Sequence, residues 1–312
     1  MKADLHVHTW HSIQSGSLRF LRSRDCYSSP ADVYRVARSR GMDLVTITDH
    51  DSIDGCLELL NRHPDLPDFI VGEEVSCRFP DGDIEIHLGV YGMTEALHRD
   101  LQPLRGNVFD VIARLREAGV FFVLNHLLHF YRGQTSLDAY LRLTQHVPAL
   151  EGRNGAMLCE QNELIERYAR HGAVRAVVGG SDAHTLRRVG TTWTEVPGAR
   201  TTDEFLQGVR QGRSVLGGAH GNAFVLAGEI YGVVGRYMAS LIGLGPCEQP
   251  VWRRAACLTF SAASVPFQFI PLLTAFRTKN RERAAVRQAV TLLEPLLMSQ
   301  TVTAREAVQV RG

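Results

Sequence analysis

The alternation of short apolar runs with amphipathic stretches over the first 220 residues constrains the fold more than any other feature of this chain. Eight runs have the length and composition of strands: 3–7, 44–48, 69–75, 84–91, 120–124, 149–153, 174–178 and 192–196. Helical patterns lie between many of them, and this alternation is typical of an α/β barrel or a doubly wound sheet. A chain of 312 residues can bury such a core without disulfides.

The predicted helices begin and end at residues suited to those positions. They cover 30–40, 54–63, 108–118, 137–145, 160–171 and 202–211. Ser29 places a capping hydroxyl before Pro30 in the first turn, and Gly41 and Gly119 stand where a helix ends in a left-handed residue. These signals support the helical assignment between the strands.

The last 90 or so residues differ from the rest. Strand patterns fade, and helical stretches are interrupted by Pro246, Pro250, Pro266 and Pro271. We therefore expect a barrel over 1–220 and a mainly helical C-terminal extension, of unassigned role, over 221–312. The uncharged segment 255–276 is long enough to span a membrane, but its serines, glutamine and prolines favour a buried or interfacial helix pair over membrane contact.

Composition narrows the function classes. A balance of 34 Lys+Arg against 33 Asp+Glu gives no electrostatic reason to expect duplex nucleic acid as an obligate partner. The six cysteines form no Cys-x-x-Cys pair, and no apolar signal region follows Met1, which favours a reduced, cytoplasmic protein. Histidines are many, 13 in all, whereas Lys2 and Lys279 are the only lysines.

Six sites near predicted strand ends carry a histidine or an acid. His6 and His8 are two residues apart on the first strand, so both point to the same face. The others are Asp49-His50-Asp51, Glu73-Glu74, His87, His126 and Asp182-Ala183-His184. Each alone is typical of a core or capping residue, but in an α/β barrel they converge on one rim. Imidazole and carboxylate without thiolate suit zinc, manganese or iron.

Taken in order, these motifs resemble those of the PHP (polymerase and histidinol phosphatase) superfamily of metal-dependent phosphoesterases. The matching segments are Asp4-Leu5-His6-Val7-His8-Thr9, Thr48-Asp49-His50-Asp51, Gly72-Glu73-Glu74-Val75-Ser76, His87, Asn125-His126 and Ser181-Asp182-Ala183-His184. The resemblance covers about residues 1–220. It implies a distorted (β/α)7 TIM-like barrel with two or three divalent metal ions at the carboxyl ends of its strands.

The resemblance also assigns metal ligands residue by residue. The first ion would be held by His6, His8, Glu74 and Asp182, the second by Glu74, His87 and His126, and the third by His50 and His184. Glu74 is preferred to Glu73 because the family's acid stands two residues after the glycine.

Two departures from the family pattern concern the third ion and one turn. Where the family usually has an Asp or His, five or six residues after the second histidine, this chain has Ile13 and Gln14. His11 or Asp25, the latter in an apparent insertion at 15–28, could complete the third site. At 125–128 the chain has Asn-His-Leu-Leu where the family often has Ala-His-Pro, so the turn after the ligand should differ.

The predicted reaction is in-line attack of a metal-bridging hydroxide on the phosphorus of an ester. Asp49 or Asp51 could orient a ligand histidine or cap a helix. Candidate contacts to the substrate phosphate, because they follow predicted strand ends, are Arg132, Arg153, Arg187 and Arg188. The short interval between His87 and His126 leaves no room for a substrate-capping domain, which favours a small phosphomonoester, a nucleotide or a nucleic-acid end.

Two other functions stay open at this point. An amidohydrolase barrel also begins with His-x-His, but it commonly bridges its metals with a carbamylated lysine, and neither Lys2 nor Lys279 lies on a mid-barrel strand. In the second alternative the incomplete third site abolishes turnover, and the barrel is a non-catalytic, metal-stabilised scaffold for the extension.

Overall fold

Seven strands form a barrel in the computed structural model of this protein. The structure describes residues 1–12, 24–80, 84–129, 134–245, 247, 249–263 and 265–309, with the backbone alone for 134–136, 173, 265 and 295–309. The barrel strands are β1 (Lys2–Asp4), β2 (Leu44–Ile47), β3 (Phe69–Arg78), β4 (Glu85–Tyr91), β5 (Phe121–Leu124), β6 (Ala149–Asn154) and β7 (Ala176–Gly180). They are neighbours in chain order around the barrel.

The barrel closes between its first and seventh strands. Just beyond β1 and β7, Val7 and Ala183 form a parallel bridge. The backbone N–H of Asp182 donates to the carbonyl of His6 at 2.8 Å, and that of His8 to the carbonyl of Ala183 at 3.1 Å. This closure confirms the predicted distorted (β/α)7 barrel over the doubly wound alternative.

One strand of the barrel is reversed. β4 runs antiparallel to both β3 and β5, whereas β1, β2 and β3 are mutually parallel, as are β5, β6 and β7. The beginning of β4, rather than its end, therefore lies at the rim where the other strands end. His87 faces Ser76 across this pair, and Gly89 faces Glu74.

Helices follow most of the strands. Around the barrel they are α1 (Pro30–Ser39), α2 (Asp54–Arg62), α3 (Glu95–Leu101), α4 (Val108–Glu117), α5 (Gln134–Thr144), α6 (Cys159–Tyr168) and α7 (Thr202–Arg210). The expected caps are present: the Ser29 hydroxyl accepts the N–H of Asp32 at 3.1 Å, and Gly41 and Gly119 have φ of 79° and 66°. The sequence pattern did not predict α3, which is a short helix.

A hairpin extends the sheet beyond the closed barrel. β8 (Thr192–Glu195) pairs antiparallel with β1 and with β9 (Val215–Gly218), which was not predicted. The end of the barrel where the strands begin is filled by an apolar cluster that takes residues from all seven strands and includes Phe205 and Val209 of α7. Burial of apolar surface therefore stabilises this end, and polar side chains collect at the other.

The C-terminal extension is helical, as predicted. It consists of α8 (Ala223–Leu241), α9 (Val251–Ala263), a 3-10 turn (Val265–Phe267) and α10 (Ile270–Gln309), with α10 packed against α8 and α6. None of the helices in the described part of the chain is both long and apolar enough to cross a bilayer. Segment 255–276 forms a helix pair, but Phe260, Phe267 and Phe269 are more than half exposed, so this pair is not buried within the single chain.

Candidate metal centre

Histidines at the rim of the barrel converge on the carboxylate of Glu74, at the middle of β3. Its Oε2 atom lies 3.2 Å from Nε2 of His6, 3.5 Å from Nε2 of His8 and 3.0 Å from Nδ1 of His50. His6 and His8 follow β1 on alternate positions of extended chain, and His50 is held beside Glu74 by a parallel bridge. Three imidazoles therefore meet one oxygen.

The other oxygen of the Glu74 carboxylate contacts side chains on the remaining side of the rim. Oε1 of Glu74 lies 3.2 Å from Nδ1 of His87 and 3.0 Å from Nε2 of His126, and it accepts a hydrogen bond from Nδ2 of Asn125 at 2.9 Å. Only the reversal of β4 brings His87 here, because this histidine lies near the beginning of its strand. Glu74 is fully buried among five imidazoles from four strand ends.

Asp182 and His184 complete the ring of side chains from the loop after β7. Oδ1 of Asp182 lies 3.6 Å from Nε2 of His6, 3.3 Å from Nε2 of His8 and 3.7 Å from Nδ1 of His184. The rings of His8 and His184 have centroids 4.4 Å apart. All eight side chains that the sequence motifs single out as ligands are thus brought together at one mouth of the barrel.

The backbone is strained at this rim. Within the described ranges, the only non-glycine residues with a positive φ are Asp51 at 54°, His126 at 28° and Asp182 at 52°. Each follows or forms part of the histidine and carboxylate cluster. Such conformations cost about 1–3 kcal/mol each and persist where the surrounding structure holds side chains in a functional arrangement.

The two carboxylates of the cluster are ionised at neutral pH. Burial opposes ionisation of Glu74, but His6 and His50 outweigh it and hold the pKa of Glu74 well below its usual value. Burial likewise opposes ionisation of Asp182, and His6 and His8 hold the pKa of that carboxyl well below its ordinary value. These two carboxylates therefore carry negative charge in a dry environment.

The imidazoles divide into two groups, one with lowered and one with raised pKa values. Burial, reinforced by His184, lowers the pKa of His8 to about 4, and burial lowers the pKa of His50 well below its usual value. Burial also opposes protonation of His6 and His87, but Glu74 outweighs it, so the pKa of His6 is well above its usual value and that of His87 is about 9. The carboxylates thus attract positive charge to this end of the barrel.

The donor set fits divalent metal ions. Four buried atoms of the cluster have no hydrogen-bond partner among the described residues: Nε2 of His6, Nε2 of His8, Nδ1 of His50 and Oε2 of Glu74. Leaving a buried polar atom unsatisfied costs about 1–3 kcal/mol, which a bound ion would remove. The separations of 3.0–3.6 Å between donor atoms match the roughly 3.3 Å between two ligands of one tetrahedral ion.

Three of the rings predicted as ligands are oriented by a partner on their other nitrogen. Such contacts fix the tautomer and the direction of the lone pair aimed at a metal. Nδ1 of His6 lies 2.9 Å from Glu151, Nδ1 of His8 lies 3.2 Å from the hydroxyl of Ser12, and Nε2 of His87 lies 3.1 Å from Glu85. Glu151 was missed by the sequence reasoning, although it is an acid within the apolar strand 149–153 and so carried the same signal as Glu74.

Asp49 and Asp51 bind Thr9, Ser76 and Arg105 rather than the rings of the histidine cluster. Both oxygens of Asp49 bind Thr9, through its N–H at 2.5 Å and its hydroxyl at 2.6 Å. Asp51 accepts the N–H of Ser76 at 2.8 Å and pairs with Arg105. In the described part of the chain neither carboxylate accepts a hydrogen bond from a ligand histidine, and neither caps α2, whose N-cap residue is Ile53.

Strand alternation separates the two adjacent acids of β3. Glu73 and Glu74 are both fully buried but point to opposite faces. Glu73 accepts a hydrogen bond from Nδ1 of His98 on α3 at 2.8 Å, outside the cluster. The geometry therefore favours the choice of Glu74 as the ligand.

The four candidate arginines have different surroundings. Arg132 lies outside the described residues. Arg153 forms an ion pair with Glu166 at 2.8 Å, and Nη2 of Arg188 donates to the carbonyl of Gly155 at 2.8 Å. Arg187 is exposed beside His184 and lines a cleft there.

The position expected to complete the third ligand group falls at 13 and 14, outside the described residues. His8, His50 and His184 have ring nitrogens within 4.8 Å of one another. Of the two possible replacements, His11 is engaged elsewhere, since its Nε2 lies 2.6 Å from Glu58 on α2.

Asp25 has the surroundings of a further donor to that group. Its Oδ1 atom is buried and has no hydrogen-bond partner in the described ranges. Burial raises the pKa of Asp25, and His184 is the group that most opposes this rise. The segment that carries Asp25 is fixed to the first motif, since the thiol of Cys26 contacts the carbonyl of His8 at 3.2 Å.

The extension contributes one residue that no motif could indicate. Glu229 of α8 accepts the N–H of His184 at 3.1 Å and the hydroxyl of Thr185 at 2.7 Å. It therefore holds the loop that carries two cluster residues. Its position in an apolar helix far along the chain gives no sequence signal of this contact.

Comparisons with known proteins agree with this architecture. The family model described as PHP-associated matches residues 160–214. The uncharacterised protein MJ1587 of Methanocaldococcus jannaschii is 28% identical over 127 residues, which are 40% of this chain and 67% of that protein.

Two solved structures share the fold. PsfC from Pseudomonas syringae is 19% identical, with a TM-score of 0.51 over 75% of this chain and 97% of its own. An amidohydrolase from Chromobacterium violaceum, with bound sulfate and no metal, is 17% identical, with a TM-score of 0.50 over 68% of this chain and 97% of its own.

A seven-stranded α/β barrel whose strand ends gather histidines and carboxylates defines a class of barrel proteins with a metal-binding rim. The PHP-associated match at 160–214 contains the last of the ordered motifs, Asp182-Ala183-His184. This match supports the resemblance of the chain to the PHP superfamily of metal-dependent phosphoesterases.

Proposed function

We propose that this protein is a metal-dependent hydrolase of phosphate esters. The observation that carries the proposal is the contact of five imidazoles with the single buried carboxylate of Glu74, with Asp182 and His184 beside them. As a purely structural element, such a cluster would leave buried nitrogen and oxygen atoms of His6, His8, His50 and Glu74 without a hydrogen bond, at a cost of about 1–3 kcal/mol each.

The ligands are proposed for two or three divalent ions. His6, His8, Glu74 and Asp182 would hold the first, Glu74, His87 and His126 the second, and His50 with His184 the third. Zinc, manganese and iron all suit this mixture of imidazole and carboxylate. Bound ions of this type acidify water toward neutral pH and offset the charge that develops on a phosphoryl group.

The chain's own residues prepare this centre. Glu151 fixes the ring of His6 and also accepts the N–H of His126 at 2.8 Å, so one acid positions two ligands. Asn154 donates to Glu151 at 2.9 Å and to Asp182 at 3.3 Å, which orients a carboxylate on each side of the rim. These contacts preorganise the site before the substrate arrives.

Asp25 is proposed as the residue that completes the third site in place of the family's usual ligand. Its buried, unpartnered oxygen and its electrostatic interaction with His184 support this assignment. The contact of His11 with Glu58 favours Asp25 over His11 as the replacement. The insertion at 15–28 would then compensate for the apolar and amide residues at 13 and 14.

Neither lysine is placed to bridge metals. Nζ of Lys2 lies 3.5 Å above the ring of Trp193, and Nζ of Lys279 lies 2.7 Å from Glu282 on α10. This arrangement favours phosphoester chemistry over that of an amidohydrolase with a carbamylated lysine. A small phosphomonoester, a nucleotide or a nucleic-acid end is the proposed substrate class.

The test is metal-dependent release of p-nitrophenol from p-nitrophenyl phosphate and from bis(p-nitrophenyl) phosphate. We expect turnover with Mn²⁺, Zn²⁺ or Fe²⁺ that is lost in the double variant His8→Ala, Asp182→Ala. His63→Ala, at an exposed position after α2, is the matched control and should retain activity. Equal inertness of all three proteins with every metal would instead support the non-catalytic scaffold.

A further inference from the structure

A cleft of about 560 Å³ lies beside His184, between the barrel and the C-terminal extension. Its walls come from the segment that begins α1, from the loop after β7 and from one face of α8. A volume of this size is typical of sites for small molecules. Because His184 belongs both to the lining and to the ligand cluster, a molecule in the cleft would reach the proposed metal centre.

The extension is held at a fixed distance across this cleft. Glu229 ties α8 to the backbone of His184 and to the hydroxyl of Thr185. Gly232 of α8 faces the same loop, where a Cβ atom would lie only 2.8 Å from Cγ2 of Thr185. Gly228, one turn earlier, also lines the cleft, so α8 contributes little side-chain volume on this face.

The lining carries positive charge. The exposed side chains of Arg187 and Arg236 line the cleft, and neither forms an ion pair with any residue that the structure describes. The acid in the same lining, Asp32, is already bound to Arg35 at 2.7 Å and to the hydroxyl of Ser29 at 2.8 Å. Planar, multidentate guanidinium groups favour carboxylate and phosphate.

The lining also presents two aromatic rings. The hydroxyl of Tyr231 donates to the carbonyl of Gln268 at 2.5 Å, and the hydroxyl of Tyr27 accepts the N–H of Arg24 at 3.0 Å. Both hydroxyls are thus engaged outside the cleft. The Tyr27 ring packs against Tyr237, with ring centroids 6.4 Å apart, whereas the Tyr231 ring is partly exposed and can pack against a planar group.

We propose that this cleft binds the leaving group of the substrate, and that this leaving group is a ring-bearing alcohol with a negative charge of its own. The inference rests on the proposed function, since the scissile phosphate of the same molecule would lie at the metal centre. Tyr231 would contact the ring, and Arg187 and Arg236 the anionic group. A carboxylate and a phosphate share the required chemistry, and the test separates them.

The experiment is isothermal titration of the full-length, Mn²⁺-supplemented protein with three probes. These are 4-hydroxybenzoate, 4-hydroxybenzylphosphonate and the neutral 4-cresol. We expect the two anions to bind at least about tenfold more tightly than 4-cresol, as contacts to charged groups of this kind provide. The tighter of the two anions identifies the natural charged group as carboxylate or phosphate.

Substitutions in the cleft test whether the probes bind there. Arg187→Gln with Arg236→Gln should abolish the preference for the anions, whereas Tyr231→Ala should weaken all three probes. The charge-matched control is Arg99→Gln with Arg170→Gln, two arginines about 70% exposed on other parts of the surface, and it should keep the preference. Equal binding of the three probes by the wild type, or a preference that survives in Arg187→Gln, Arg236→Gln, would overturn the proposal.

Competition links the cleft to the reaction. 4-Hydroxybenzoate should inhibit hydrolysis of phenyl phosphate competitively, with an inhibition constant equal to its dissociation constant, and non-competitive inhibition would place the probe outside the leaving-group site. Calorimetry needs no turnover, so the two proposals fail separately. A protein that binds the anions selectively but hydrolyses no ester would refute the proposed function, and with it the leaving-group role, but not the anion preference of the cleft. An active hydrolase without the preference would refute the cleft proposal alone.

Discussion

Replacement of Glu74 by glutamine is the sharpest test of the metal centre, because it keeps the shape of the side chain and removes its charge. The Glu74 carboxylate is proposed to hold both the first and the second ion. Three imidazoles contact its Oε2 atom and two contact its Oε1 atom. A neutral amide cannot serve two cations in this way. We therefore expect Glu74→Gln to lose two of the bound ions.

The size of the effect follows from linkage. At a metal concentration of about 100 times the dissociation constant, each bound ion adds about 2.7 kcal/mol to the free energy of unfolding. Two lost ions remove about 5 kcal/mol. With an unfolding entropy of about 2.1 cal/mol/K per residue, a chain of 312 residues should lose about 8 °C of its metal-dependent rise in Tm.

The assay compares Tm by calorimetry with Mn²⁺ and with EDTA, and counts metals by mass spectrometry after dialysis. Glu73→Gln is a matched control, since Glu73 is the adjacent acid and is equally buried but binds His98 on the opposite face. It should keep both the metal content and the thermal shift. A Glu74→Gln protein with the wild-type metal content and thermal shift would refute the assignment.

Three further predictions follow from single contacts. Asp25→Asn should lower the metal content by one ion per chain on mass spectrometry, while His11→Asn should leave it unchanged. Glu73 raises the pKa of His98, so this pair stabilises the fold at low pH, and the stabilisation is lost as pH rises through that pKa. His98→Gln should therefore lower the free energy of unfolding, measured with urea, by about 1.5–3 kcal/mol at pH 6, and this loss should shrink by pH 9. Lys279→Met leaves Glu282 buried and unpaired and should cost about 3–5 kcal/mol in urea unfolding, most of which Lys279→Met with Glu282→Leu should recover.

The barrel and most of the residues at its rim could be predicted from the sequence, because both depend on local patterns. Period-two and helical patterns predict element types, and residues that follow an apolar strand lie at its end wherever that strand sits in the barrel. His6, His50 and His126 could therefore be placed on one rim without knowledge of the neighbouring strands. Alternation likewise separates Glu73 from Glu74.

What only the tertiary structure decided depends on how distant segments meet. Strand direction is not encoded in hydrophobic alternation, so the reversal of β4, which brings His87 to the rim, appears only in the fold. The same holds for Glu229 and Arg236, which lie in an apolar helix and gain their roles from the loop packed against it. Local patterns report which face a side chain occupies, whereas its partners are set by the packing of elements far apart in the chain.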